Sequence, residues 1–306
     1  MLEVFLSLCL ELLCYRTVCN LFCLLVYDLF CIAFTQSFIV WSLHTDNAYS
    51  PINSLYKTEH AICVNFVSML PSWQQGIVKQ IEQVTHNTRR FWVELPEVEA
   101  FHFRPGQFVT LDLPIHEQRN KRWRSYSIAS MPDGTNLIEL LIVNVEGGAG
   151  SGYLFDEIKE GSTLTLRGPQ GVFVLPEPSE KELFLICTGT GVAPFRSMVA
   201  YLHRHKLEGY KINLIFGTRT QADLLYHDEL SQLQEHIPGF RYLPTLSREQ
   251  WDGASGYVHD IYEQLCAERQ QATFMLCGWK QMIDEARERI LNMGYDKKDV
   301  QIEIYG

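Results

Sequence analysis

The chain has 306 residues, of which 20% are charged and 46% hydrophobic, and a formal net charge of -10 at pH 7. That length supports two domains with a substantial core, and the negative balance excludes general nucleic-acid binding, which needs a basic face against phosphates. Six of the nine cysteines lie at or before Cys63, while Cys187, Cys266 and Cys277 are scattered; this is no disulfide framework and places the main body in a reducing, cytoplasmic compartment.

Residues 1 to 45 are rich in Leu, Phe, Cys and Val, with only Glu3, Glu11, Arg16 and Asp28 charged. Three readings stay open. A membrane anchor needs roughly 20 apolar residues, and its best stretch, Val18 to Leu43, is interrupted by Asp28. A signal peptide wants a basic start, which Glu3 contradicts. The favoured reading is an extension, residues 1–70, outside the mature fold, because Met69 opens a stretch of ordinary globular composition. Cys9, Cys14, Cys19, Cys23 and Cys31 match neither the spacing of zinc sites nor that of plant-type iron–sulfur clusters, so no metal is expected.

From Gln75 the chain alternates or runs apolar over strand lengths: Gln75 to Val84, Arg90 to Leu95, Gln107 to Leu113, Ser125 to Ala129, Leu137 to Val145 and Ser162 to Arg167. Turn signals such as Pro96, Pro105-Gly106 and Pro114 separate them. Six such strands, with one helix at Gly152 to Ile158, predict a small antiparallel β-barrel over residues 71–177. After Pro176 and Pro178 the texture changes. Strands at Leu183 to Cys187, Lys211 to Phe216, Arg241 to Leu246, Thr273 to Cys277 and Gln301 to Tyr305 alternate with helical patterns. Those helices fall at Val192 to His205, His227 to His236, Val258 to Glu268 and Gln281 to Met293. The alternation predicts an α/β parallel-sheet domain over residues 178–306.

Three stretches carry chemistry. Arg124-Ser125-Tyr126-Ser127 offers forked donors for a pyrophosphate, a flat ring for stacking and a hydroxyl for a ring nitrogen. Gly147-Gly148-Ala149-Gly150-Ser151 precedes the barrel's helix and can cradle an anion there. Gly189-Thr190-Gly191-Val192-Ala193-Pro194 follows the first strand of the α/β half, where a parallel sheet places its nucleotide. Each also has a bland reading as a strand residue or tight turn, and their conjunction is what carries weight.

With these motifs in this order, residues 71 to 306 resemble the ferredoxin–NADP reductase family of flavoprotein pyridine-nucleotide reductases. Arg124-Ser125-Tyr126-Ser127 resembles its R-x-Y-S flavin motif and Gly148-Ala149-Gly150-Ser151 its G-x-x-S pyrophosphate loop. Gly189-Thr190-Gly191 with Pro194 resembles its G-T-G-x-x-P turn, and Cys277-Gly278 its C-G pair beside the nicotinamide. Ser247 and Arg248 resemble the segment that holds the 2′-phosphate of NADP, with Tyr257 available to stack on adenine. Glu303-Ile304-Tyr305 resembles the plant-type ending, from which the added Gly306 departs.

The resemblance implies an FAD β-barrel domain followed by a Rossmann-like NAD(P) domain, using NADPH, with NADH open. It further implies a hydride passed to FAD with Ser127, Cys277, Glu303 and Tyr305 at the reacting centre. No four-cysteine cluster flanks the two domains, so the expected acceptor is a separate protein such as ferredoxin or flavodoxin. Arg119, Lys121 and Arg122 form a basic loop that could meet an acidic partner. The alternatives are a membrane-anchored reductase feeding a haem or oxygenase partner, and a non-catalytic nucleotide-binding regulator.

Overall fold

The computed structural model describes residues 71–305. The expectations for residues 1–70, the anchor, leader and cysteine readings among them, lie outside the described residues, as does Gly306.

The apolar alternation of the first half becomes six strands: β1 (Trp73–Thr85), β2 (Thr88–Glu94), β3 (Phe108–Asp112), β4 (Trp123–Ser127), β5 (Leu137–Val143) and β6 (Thr163–Gln170). They form one antiparallel sheet in the order β4-β3-β6-β1-β2-β5. An antiparallel bridge between Ile128 and Leu140 ties the β4 side to the β5 side and closes the sheet into a barrel. Inward-facing Val78, Phe91, Val93, Val109, Leu111, Leu140 and Leu166 fill it, as expected when alternate residues of each strand point to one face.

The one helix of this half, α1 (Ala149–Asp156), starts three residues before the predicted Gly152. Gly147 and Gly148 of the glycine-rich segment precede the helix, while Ala149, Gly150 and Ser151 make its first turn, with the Gly152 N–H donating to the Gly148 carbonyl at 2.8 Å.

The second half is β7 (Glu182–Thr188), α2 (Val192–His205), β8 (Ile212–Thr218), α3 (His227–His236), β9 (Phe240–Leu246), the short β10 (Ala254–Ser255), α4 (Val258–Leu265), β11 (Ala272–Trp279), α5 (Lys280–Asn292) and β12 (Val300–Tyr305). Its sheet runs β10-β9-β8-β7-β11-β12, and every pair is parallel. The central strands read as continuous apolar runs because helices cover both faces: α2 and α3 enclose one core with Leu185, Phe195 and Phe216, while α4 and α5 enclose the other with Phe184, Ile215 and Phe274. Sequence order reverses between β7 and its neighbours β8 and β11. The crevice beyond the carboxyl end of β7 is therefore the topological switch point where such sheets take ligands.

Both sheets belong to one compact unit, Met69–Gly306. Among the described residues, no helix is long and apolar enough to cross a membrane.

Candidate active site between the two sheets

Two glycine contacts build the nucleotide end of the site. Gly189 has φ +54°, a left-handed conformation open to a residue without Cβ, and Gly189–Gly191 forms a 3-10 turn leading directly into α2. A Cβ on Gly191 would lie 2.4 Å from the Cys277 carbonyl oxygen and 2.9 Å from the Gly278 Cα. Gly278, with φ +140°, sits equally close to Thr188, whose Oγ1 would be 2.6 Å from an added Cβ. The G-T-G turn and the Cys277-Gly278 pair are thus pressed backbone to backbone at adjacent strand ends. Pro194 occupies the first turn of α2, where its missing N–H leaves no helical hydrogen bond unmade.

A cavity of about 450 Å³ opens beside this contact. Gly189, Thr190, Ser247, Arg248 and Tyr257, five of the residues singled out from sequence, line it together. Ser247 and Arg248 are placed by a ladder that runs past the strand ends: the Ser247 N–H donates to the Thr218 carbonyl and the Arg248 N–H to the Arg219 carbonyl, each at 2.9 Å. Tyr257, at the start of α4, is 67% exposed and presents its ring to the same space. The cavity also takes in Arg219 and Trp279, which sequence reasoning missed. Arg219 sits next to Thr218 at the carboxyl end of β8 and Trp279 next to Gly278 at that of β11, positions that in a parallel sheet are themselves a signal. The opposite wall is the β1–β2 turn of the barrel, with His86 and Asn87.

The flavin-type motif lies on β4. Arg124 packs against the first turn of α1: a Cβ on Gly150 would fall 2.9 Å from its Cγ and 3.1 Å from its Nε. The absence of that Cβ brings the guanidinium up to the helix N-terminus, so that two motifs 26 positions apart in sequence form one cluster of N–H donors, a geometry able to take an anion. Ser151 departs from expectation in one respect. Its hydroxyl is engaged inside the loop, accepting from the Val145 N–H at 3.0 Å and donating to the Gly148 carbonyl at 3.2 Å. It therefore shapes the cradle and leaves the first-turn N–H groups to face a ligand. Tyr126 packs its ring on the barrel core, and burial pushes its phenol up to about 12, so it is neutral at physiological pH.

The two halves meet at Ser127, whose buried hydroxyl donates to Glu303 Oε1 at 2.5 Å. Burial raises the Glu303 carboxyl to about 7, and the Ser127 bond opposes that rise without cancelling it. In register on the neighbouring strand, Glu303 stands opposite Cys277 and Tyr305 opposite Trp279. Burial holds the Cys277 thiol well above its ordinary range, so it is no thiolate nucleophile. Thr188 Oγ1 lies buried without a hydrogen-bond partner, and the buried Tyr305 hydroxyl sits beside the Ser127 hydroxyl and the Cys277 thiol. An orphaned polar group beside the glycine turn is what a site completed by a ligand would leave. The basic loop differs from expectation: Asp112 lies 2.8 Å from Arg122 and 3.7 Å from Arg119, so two of its three cations have an internal partner. Among the described residues, no cluster of three metal-ligating side chains occurs.

A closed barrel with a glycine helix start beside an arginine, joined to a parallel sheet with a glycine turn at its switch point, is the architecture of two-domain, dinucleotide-linked oxidoreductases. Residues 75–175 match the oxidoreductase FAD-binding domain and residues 185–288 the oxidoreductase NAD-binding domain. Ferredoxin–NADP reductase B of Sorangium cellulosum is 36% identical over 226 residues, 71% of this chain and 91% of that protein. The anthranilate 1,2-dioxygenase electron transfer component of Acinetobacter baylyi is 31% identical over 69% of this chain, which spans 61% of that protein's length. Among solved structures, the Neisseria gonorrhoeae ferredoxin NADP+ reductase with bound FAD and NADP superposes with a TM-score of 0.64 at 26% identity, covering 76% of this chain and 98% of that one. The chain belongs to the ferredoxin–NADP reductase family and is an NAD(P)H-dependent FAD oxidoreductase.

Proposed function

We propose that the chain takes a hydride from NADPH onto bound FAD and delivers electrons to a separate protein, ferredoxin or flavodoxin, as a cytoplasmic reductase. The observation that carries this reading is the junction itself: Ser127 from the barrel, Glu303 from the last strand and the Cys277-Gly278 pair meet beside the Gly191 turn. Flavin-side and nucleotide-side residues thus converge where a ring from each cofactor can stack. The barrel, residues 71–177, would hold FAD and residues 178–306 the nicotinamide nucleotide.

The residues fit both groups. The Arg124 guanidinium and the first-turn N–H groups of α1 would hold the FAD pyrophosphate, as the space left by Gly150 allows. The Tyr126 ring would lie against the flavin, and the Ser127 hydroxyl would be available to its reactive ring nitrogen. The turn Gly189-Thr190-Gly191, with the start of α2, would bind the pyrophosphate of NAD(P)H, while Arg248, on the turn that Ser247 fixes, would hold the 2′-phosphate beside a Tyr257 ring stacked on adenine. Glu303 and Cys277 wall the reacting centre, and the Tyr305 ring guards it until nicotinamide enters. When bound, FAD supplies acceptance of a hydride and release of electrons one or two at a time; the protein supplies position, dryness and electrostatics.

An oxygenase component or cytochrome as acceptor is the second reading, favoured by similarity to the A. baylyi electron transfer component and to Amycolatopsis cytochrome P450 reductase GcoB (TM-score 0.67, 28% identity, 76% of this chain and 70% of that one). The test is an absorbance spectrum of the purified protein before and after anaerobic NADPH or NADH, followed by candidate acceptors. A flavin band bleached faster by NADPH supports the proposal; a colourless protein, or a band that neither nucleotide bleaches, points instead to a nucleotide-binding regulator.

A further inference from the structure

A buried charged cage that the redox chemistry does not use spans the two halves of the molecule. Glu139 on β5 lies in an otherwise apolar strand and is 2% exposed. Four donors from both halves converge on its carboxylate. Arg90 of β2 gives Nε at 2.7 Å and Nη2 at 3.1 Å. Arg196 of α2 gives Nη1 at 3.0 Å, and the Tyr226 hydroxyl donates at 2.5 Å. Although burial alone would raise this carboxyl, these bonds and charges hold it below its ordinary range, so it is an anion. Burial, with Glu139 beside it, pushes the Tyr226 phenol well up, so that group remains a neutral donor.

The geometry around Tyr226 is specific. Two guanidiniums lie over its ring, with the Arg90 Cζ 5.2 Å and the Arg196 Cζ 4.9 Å from its centroid. Its backbone has φ +55°, a left-handed conformation rare for a bulky side chain, at the N-cap position just before α3. Such conformations persist only where surrounding contacts over-determine them. Arg196 is further fixed by a bidentate pair with Glu229 and by the Ala129 carbonyl at 2.9 Å, while the neighbouring Ser197 hydroxyl donates to the Ser130 carbonyl at 2.6 Å.

The grip falls on the two levers that matter. Ala129 and Ser130 lie two and three residues after Ser127, and both are also bonded to the Glu139 backbone: the Ala129 N–H donates to the Glu139 carbonyl at 2.8 Å, and the Glu139 N–H donates to the Ser130 hydroxyl at 3.1 Å. Arg196 stands five residues beyond Gly191 on the helix that the nucleotide turn opens, a rise of about 7.5 Å along a rigid element. We propose that the Glu139–Arg90–Arg196–Tyr226 cage is a positioning element that sets the approach of the nucleotide turn to the Ser127 strand, and with it the stacking of nicotinamide on flavin. The inference rests on the functional reading above. It goes beyond that reading because none of these four residues is assigned to a cofactor there, and none lines the cavity at the Gly189 turn. A buried ion cluster is weak evidence for stability, since a well-packed apolar set can replace one at no loss; fixing a single geometry is the role that needs directional bonds.

The experiment compares the wild-type holoenzyme with Tyr226→Phe, which removes one hydroxyl, and Glu139→Gln, which keeps the shape but loses the charge. Flavin reduction by NADPH is followed by stopped flow across nucleotide concentration. Amide hydrogen exchange of residues 127–130 and 192–198 is measured on the same proteins without nucleotide. The limiting reduction rate is expected to fall about tenfold or more, since a misplacement near 1 Å costs up to about 100-fold. The NADPH Kd should stay within about twofold, with faster exchange in both segments and unchanged flavin content. A limiting rate and exchange pattern identical to wild type in Tyr226→Phe would overturn the inference, whether or not Glu139→Gln folds. So would a rate that falls only in proportion to lost flavin. A wild-type protein that NADPH does not bleach would instead remove the functional reading itself.

Discussion

The Ser127 hydroxyl and the Glu303 carboxylate, 176 residues apart in sequence, make a 2.5 Å hydrogen bond that closes the barrel half against the nucleotide half. The bond has a pH signature. Burial raises the folded-state carboxyl to about 7, above the ordinary 4.5 of the unfolded chain. Between those values the folded protein binds more protons than the unfolded one, so this group's contribution to stability falls as pH rises. In flavin-free protein, urea unfolding at pH 5 and pH 7.5 should show wild type losing more stability than Glu303→Gln. The difference is on the order of 3 kcal/mol at most, at about 1.4 kcal/mol per pH unit.

The Gly191 contact gives a steric prediction. A Cβ there meets the Cys277 carbonyl carbon at 2.7 Å and its oxygen at 2.4 Å; both are backbone atoms in the middle of the sheet, held by ladder bonds to β7 and β12. Neither can swing away. Gly191→Ala should therefore cost about 1–3 kcal/mol, read as a lower Tm, and weaken nicotinamide-nucleotide binding by isothermal titration. FAD binding on the barrel should be retained.

Legibility followed the range of the interaction. The strand and helix pattern was readable because period 2 and period 3.6 are local, and the Arg124 and Gly189 motifs because each is contiguous. The start of α1 was misplaced at Gly152 because glycines read as loop, whereas here they allow Arg124 to lie on the turn. The Glu139–Arg196 contact joins residues 57 apart and had no local signature. Its one trace is a lone carboxylate within Leu137-Ile138-Glu139-Leu140-Leu141-Ile142-Val143, where an apolar strand seldom buries an uncompensated charge. The roles implied for Cys277, Glu303 and Tyr305 came from resemblance; only the register of β12 on β11 shows why they share a place.

The Arg124 cradle predicts a flavin-specific defect. Gly150→Val would drive a branched side chain into the Arg124 stem, whose Cγ would lie 2.9 Å from the first added carbon. That stem is anchored, because its Nη1 donates to the Lys121 and Trp123 carbonyls at 3.0 and 2.8 Å. The variant should purify with little flavin and bind added FAD about tenfold or more weakly, as should Arg124→Ala, each having lost a charge-assisted contact to phosphate. Fluorescence titration with FAD reads both, and nucleotide binding to the second sheet is the control that should not move.

The proposed preference for NADPH rests on Arg248, which the ladder from Arg219 places at the cavity rim with its side chain in solvent. A guanidinium there can fork to a 2′-phosphate, and the Ser247 hydroxyl beside it donates to the Thr218 carbonyl at 3.2 Å, which fixes the turn. Because the site is exposed, screening keeps the effect near the lower end of charge-assisted contacts, about 1.5 kcal/mol. Arg248→Ala should thus raise the KM for NADPH about tenfold and leave that for NADH within about twofold. Tyr257→Ala, which removes a stacking face common to both coenzymes, should raise the two together. Steady-state reduction of an artificial acceptor with each nucleotide separates the cases. Equal effects of Arg248→Ala on both coenzymes would take the 2′-phosphate away from this residue and leave Arg219, its neighbour on the ladder, as the cation that reads it.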